Sequence, residues 1–275
     1  LIKNTGFLAI SSFSSRILVF LLVPFYTNIL STSEYGIYDL ATTTIQLLMP
    51  ILTLNVYEGV TRFLMSDKEN PNTIVTLGFK YIAVGTAIFA LALWANTIFN
   101  IFPLFSGYEL LIFLYFVSNV LYQYAVQCAK GFELVKLMGI AGVISTVVMV
   151  FTNVLFLAIW HIGLPGFFLS YILGQGIAAV YLFWKIEIIR YLKNEDDYDL
   201  QKRLVYYSVP LILNTIGWWI NNASDRYIVT WLCGVSINGI YSVSYKIPSI
   251  LSTFQSIFTQ SWQISAIKEY QKEGY

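Results

Sequence analysis

Residues 73–99, TIVTLGFKYIAVGTAIFALALWANTIF, run for 27 positions with Lys80 as their one charged side chain. About 20 helical residues cross the roughly 30 Å hydrocarbon core of a bilayer. The run therefore spans a membrane with room for tilt. It is too long for a helix buried in a soluble core. Working outward, seven more runs have the same character: 5–30, 36–64, 108–130, 134–160, 164–190, 204–232 and 238–264. The spacing predicts eight transmembrane helices. Composition agrees: charged residues are 11% of the chain, against about 25% in soluble domains. Apolar residues are 57% and mean hydropathy is +0.67. The first run carries Arg16 and ends in Ser31-Thr32-Ser33-Glu34 without a small-residue cleavage pattern, so it does not read as a signal peptide.

The 16 Lys and Arg residues set the orientation. Connections 31–35, 100–107, 161–163 and 233–237 hold none of them. The alternate connections and adjoining span ends hold twelve, from Lys3 to Lys272. Cationic loops resist translocation, so the N-terminus is expected in the cytoplasm. The net charge of +1 indicates no partner. No basic patch lies in a nucleic-acid motif, which removes that class. Cys128 and Cys233 fall on opposite sides of the predicted membrane, and His161 sits in an outer turn. Their spacing suits neither a disulfide nor a metal site, and no cofactor is expected.

The outer turns leave no space for an extracellular catalytic domain. The inner stretch 191–203 is the one long charged segment and reads as a linker between two bundles. An internal echo supports that division. Gly36-Ile37-Tyr38 opens the second run and Gly239-Ile240-Tyr241 the eighth, each after a short outer turn. The offset of 203 residues passes over six helices, an even number, so the two copies would be parallel repeats. Leu1 in place of a starting Met, and an end at Tyr275 just after the eighth run, suggest a fragment lacking at least four further helices.

Polar residues form stripes at helical spacing on several runs. Asp39, Thr43 and Gln46 share a face of the second run; Asn214, Asn221 and Asp225 share one on the seventh. Ser242, Ser249 and Ser256 recur on the eighth, with Lys246 alongside. Such residues also join membrane helices for about 0.6 kcal/mol per bond, so any one of them has a structural explanation. Charges are harder to explain that way, because an Arg at the helix centre costs roughly 2.5–3.5 kcal/mol on insertion scales. Arg16 lies near mid-membrane and is expected to face a cavity, a ligand, or an acid such as Asp39. Arg226, Asp225 and Lys246 are expected to line the same interior. Lys80 can snorkel, and Glu58 with Arg62 is spaced for a helix ion pair. Pro24, Pro50 and Pro210 can bend their spans.

Several of these stretches resemble a known family. Ser14-Ser15-Arg16, Pro24-Phe25-Tyr26 and Glu34-Tyr35-Gly36-Ile37-Tyr38 are similar to bacterial polysaccharide flippases of the Wzx type, as are Pro210, Asp225-Arg226-Tyr227-Ile228 and Gly239-Ile240-Tyr241. Their superfamily also holds lipid II flippases and multidrug/toxin extrusion transporters. The resemblance implies an all-α polytopic membrane protein, a MATE-like two-lobe bundle: residues 1–200 as the N-terminal lobe and 201–275 as the start of an incomplete second. It implies transfer of an undecaprenyl-diphosphate-linked oligosaccharide, an O-antigen or capsule repeat unit, across the bacterial plasma membrane by alternating access. A proton or sodium ion is the candidate coupling ion, and membrane lipids are the surrounding partners. The residues carried into that picture are Arg16, Arg226, Lys246, Asp225, Asp39, Gln46, Asn214 and Asn221.

Two other readings stand beside it. A multidrug extruder or lipid II transporter of the same fold would share the architecture, but an extruder of cations should present mainly acidic groups. A membrane enzyme of glycan assembly would need a nucleophile and base at an accessible face. The short outer turns show neither.

Overall fold

The computed structural model describes residues 18, 21–66, 69–193, 197–246 and 248. These residues form helices joined by short turns, with no strand among them. In chain order the helices are α1 (Val23–Ile29), α2 (Thr32–Leu52), α3 (Val56–Leu64), α4 (Pro71–Phe99), α5 (Glu109–Gly131), α6 (Val135–Asn153), α7 (Leu164–Ile186), α8 (Ile188–Tyr191), α9 (Tyr198–Ala223) and α10 (Asp225–Cys233). Residues 235–246 form a further helix, α11.

The chain punctuates itself with familiar chemistry. Ser31 and Glu34 form a reciprocal capping box at the start of α2, satisfying backbone N–H groups that the first turn leaves open. Asn70 caps α4, which closes on Asn100 in the left-handed region. The short 3-10 turn Pro103–Phe105 then returns the chain. Asp197 caps α9 through its bond from the Leu200 N–H. The turns at 31, 100–108 and 160–163 fall where the apolar runs placed the outer connections.

α2 and α3 are one bent unit with an angle of 59° between them. Pro50, inside α2, has no N–H to give and crowds the preceding turn. Thr53, Leu54 and Asn55 then leave the helix, with Leu54 and Asn55 both at φ 51°. The Asn55 N–H still reaches the Pro50 carbonyl at 2.7 Å. Here the bend expected from Pro50 is present.

Four helical segments are long and apolar enough to cross a membrane: Pro71–Phe99, Glu109–Gly131, Val135–Ile159 and Leu164–Ile186. The bent α2–α3 pair makes up to five. The eight expected spans are thus recovered only in part among the described residues. The first and eighth runs extend outside those residues. Ser224 interrupts the seventh, dividing α9 from α10. Burial of the apolar windows is 22–44%, so much of each helix turns hydrocarbon outward. Leu91, Trp94, Phe99, Phe151, Val180 and Trp184 are all exposed. An apolar exterior of this extent suits lipid, and the protein is a multi-pass membrane protein.

Inside, α5, α6 and α7 pack closely. A Cβ on Gly174 would stand 2.7 Å from the Ser145 carbonyl oxygen, so α6 and α7 meet backbone to backbone, as small residues allow in membranes. Tyr38 from α2 enters an aromatic cluster with Phe167, Phe168 and Tyr171 of α7, its ring 4.5 Å from that of Phe167. This cluster holds the N-terminal half of α2 against the bundle and leaves its other face for α9–α11.

Candidate functional site

Asp39 sits on that other face, 6% exposed. Its carboxylate meets two later elements. The Ser242 hydroxyl of α11 donates to Oδ2 at 2.6 Å. Arg226, in the first turn of α10, places Nε 3.1 Å from the same oxygen. That contact is an ion pair without hydrogen-bond alignment, since Nε makes no hydrogen bond. Arg226 instead donates from Nη1 to the Thr43 hydroxyl at 3.3 Å, and its guanidinium lies 5.6 Å over the Tyr245 ring, within cation–π range.

Arg226 reaches this position because α9 ends one turn earlier. Ser224 breaks the helix, and the Asp225 carboxylate accepts the Arg226 backbone N–H at 3.0 Å. The Tyr241 hydroxyl donates to the other Asp225 oxygen. Neighbouring bonds fix the same three-way junction. The Trp219 indole N–H donates to the Thr43 carbonyl at 3.0 Å, and the Tyr227 and Thr44 hydroxyls are 2.5 Å apart. Lys246 is half-buried on α11 and stands within electrostatic reach of Asp39 and Arg226.

Just above, the two Gly-Ile-Tyr segments cross. A Cβ on Gly36 would lie 2.1 Å from the Val235 carbonyl oxygen, and one on Gly239 only 1.9 Å from that of Thr32. Neither space admits a side chain. The Thr32 and Ser236 hydroxyls are 2.5 Å apart, and Asn238 donates to the Gly36 carbonyl at 3.4 Å.

The opposite end, rich in Lys and Arg, holds a cavity of about 640 Å³ bordered by α3, the end of α5 and the start of α9. Glu58, Arg62, Glu69, Lys130, Arg203 and Tyr207 line it. Glu58 and Arg62 do not form the ion pair their spacing suggested. Gln127 donates to Glu58 at 2.8 Å, while Arg62 stacks 5.0 Å over Tyr207. Arg203 bridges Glu69 at 2.6 Å and Asp199 at 2.9 Å. The Glu69 hydrogen bond pushes the Arg203 pKa above its ordinary value.

Comparison with known sequences decides the family. The sequence model of the family described as polysaccharide biosynthesis protein matches residues 1–262. The chain belongs to that family. No curated protein and no solved structure matches it. For a polysaccharide biosynthesis protein, the junction collects four of the residues singled out in the sequence: Asp39, Asp225, Arg226 and Lys246. Gln46, Asn214 and Asn221 are exposed and make none of its hydrogen bonds. Arg16 lies outside the described residues. The expected cavity, ligand or acid partner of Arg16 therefore lies outside the described residues, while Asp39 pairs with Arg226.

Sequence reasoning set Thr43 on one face with Asp39 but did not carry it into the site, and it gave no site role to Trp219, Tyr227, Tyr241 or Tyr245. Thr43 could have been found, since it lies one turn after Asp39. Tyr227 and Tyr241 stand in the quoted motifs, but nothing distinguishes Trp219 and Tyr245 in a chain with 20 Tyr and seven Trp.

Proposed function

We propose that the chain supplies the first lobe and the opening of the second lobe of a bacterial plasma-membrane flippase. Its cargo is an undecaprenyl-diphosphate-linked oligosaccharide, an O-antigen or capsule repeat unit, passed from the cytoplasmic to the outer leaflet. The supporting observation is Arg226: a guanidinium of the second lobe, within the expected seventh span, held by a carboxylate of the first. A diphosphate is the same kind of ligand as that carboxylate, with more charge and more acceptor oxygens. While the lobes are together, Asp39 occupies Arg226. As they part, Arg226 exchanges Asp39 for the lipid diphosphate, with Lys246 and Arg16 adding charge in place of lost water.

Asp225 remains tied to Tyr241 and to its own backbone turn, which fixes the direction of Arg226. Gln46, Asn214 and Asn221 present amides to sugar hydroxyls. The cargo crosses unaltered, so the protein is a transporter and not an enzyme. The polysaccharide family supports the cargo class, and the cation-rich inner cavity supports loading from the cytoplasmic side.

Deleting the gene should abolish surface polysaccharide and accumulate the lipid-linked precursor. Arg226→Ala, present at normal membrane levels, should reproduce both effects. Normal export from the deletion strain, or from both Arg226→Ala and Lys246→Ala, would overturn the reading. Export measured across imposed pH and sodium gradients identifies the coupling ion.

A further inference from the structure

Equal positions of the internal repeat touch one another. Gly36 and Gly239 are 203 residues apart, and so are Thr32 and Val235. Gly36 abuts the carbonyl of Val235, and Gly239 abuts the carbonyl of Thr32. Residue i meets j while j's counterpart meets i's, which is the contact pattern of a twofold axis. Asp39 and Ser242 share the same offset and are bonded to each other, so this pair lies on the axis itself. One glycine crossing thus joins the two copies directly, at the end of the molecule whose short connections hold no Lys or Arg.

We propose that this crossing is the outer gate of the transporter, with the Asp39 bonds to Ser242 and Arg226 as its latch. The inference rests on the flippase reading and adds to it which atoms part when the outer side opens. The missing Cβ atoms bring carbonyl against Cα across both helices. Such a contact has little room for gradual deformation. A small separation removes the Thr32–Ser236, Asn238–Gly36 and Ser242–Asp39 bonds together. Packed interfaces of this kind switch between discrete states. The cavity lies at the far end, between α3, α5 and α9, so the gate is shut while the inner side has open volume.

The experiment starts from Cys233→Ser, because Cys233 is exposed close by. Thr32→Cys with Ser236→Cys places two sulfurs where hydroxyls now stand 2.5 Å apart, within reach of a disulfide. Oxidation in intact cells should cross-link the pair and stop surface polysaccharide export, and reduction should restore it. Export that continues through the cross-linked protein overturns the gate. Failure of the pair to cross-link, with both single variants present in the membrane, also overturns it.

A second measurement does not need the cargo. Asn238 is fully buried at the crossing. Asn238→Cys should react slowly with a membrane-impermeant maleimide added outside, and faster when Gly239→Val props the helices apart. Equal rates refute the gate. If the deletion strain exports normally while labelling follows this pattern, the flippase reading fails and the gate stands.

Discussion

Asp39 and Arg226 each make the other tolerable. A charge taken from water and left alone inside protein is costly, and removing one partner of a buried pair typically destabilises by about 3–5 kcal/mol. Asp39→Leu and Arg226→Met are each expected to lower the melting temperature of the solubilised protein. The double variant should recover most of the loss, since an apolar pair leaves no orphan charge. It should remain without transport, and this separates stability from function. Both residues were legible in the sequence because a charge inside an apolar run needs a reason. Their mutual pairing was not legible. Helical spacing reports which residues share a face, and Asp39 and Arg226 sit on different helices separated by most of the chain. Gln46, Asn214 and Asn221 show the limit of stripes: they align on their helices yet make none of the junction's hydrogen bonds. Thr43 joined it because its hydroxyl and carbonyl face α9–α10.

At the scale of elements, the break at Thr53–Asn55 gives a prediction. Leu54 and Asn55 both occupy the left-handed region, which costs an L-residue roughly 1–2 kcal/mol unless it is Gly, Asn or Asp. Asn55→Gly should leave the melting temperature nearly unchanged. Asn55→Val, with a branched Cβ at the same φ, should lower stability by about 1–2 kcal/mol in the same assay. The bend was readable from Pro50, but its place three residues later was not, because a proline disturbs the turn before it and the exit depends on which residues accept positive φ. The apolar runs placed the turns well. Within the seventh run, the helix breaks at Ser224, where the Arg226 backbone N–H donates to the Asp225 carboxylate, a local bond that hydropathy does not register. Glu58 and Arg62 illustrate a related miss. Their spacing suits an ion pair, but Gln127 and Tyr207 from other helices took the two groups.

For the whole molecule, the expected orientation rests on where the cations are and is open to test. Ser106 lies in the turn after Pro103–Phe105, and Ser66 borders the inner cavity. In a Cys233→Ser background, Ser106→Cys should react with an impermeant maleimide in intact cells, and Ser66→Cys only after the membrane is opened. The reverse pattern would invert the topology. The two ends differ in how they are tied. The end with the cation-free turns is closed by backbone contact between α2 and α11. The inner end is held partly by Arg203 with Glu69 and Asp199, in solvent where salt weakens such pairs. Raising ionic strength should therefore loosen the inner end first, seen as faster labelling of Ser66→Cys in inverted vesicles with no change at Asn238→Cys.

The pairing of Asp39 with Ser242 limits how far the two copies can stay alike. Residues that face each other across a dyad must be compatible with themselves. Glycine against glycine satisfies that condition, and so does hydroxyl against hydroxyl. Two carboxylates would repel at that separation, with Arg226 the one guanidinium beside them among the described residues. A duplicated segment that keeps an acid at this spot in one half is thereby driven to give it up in the other.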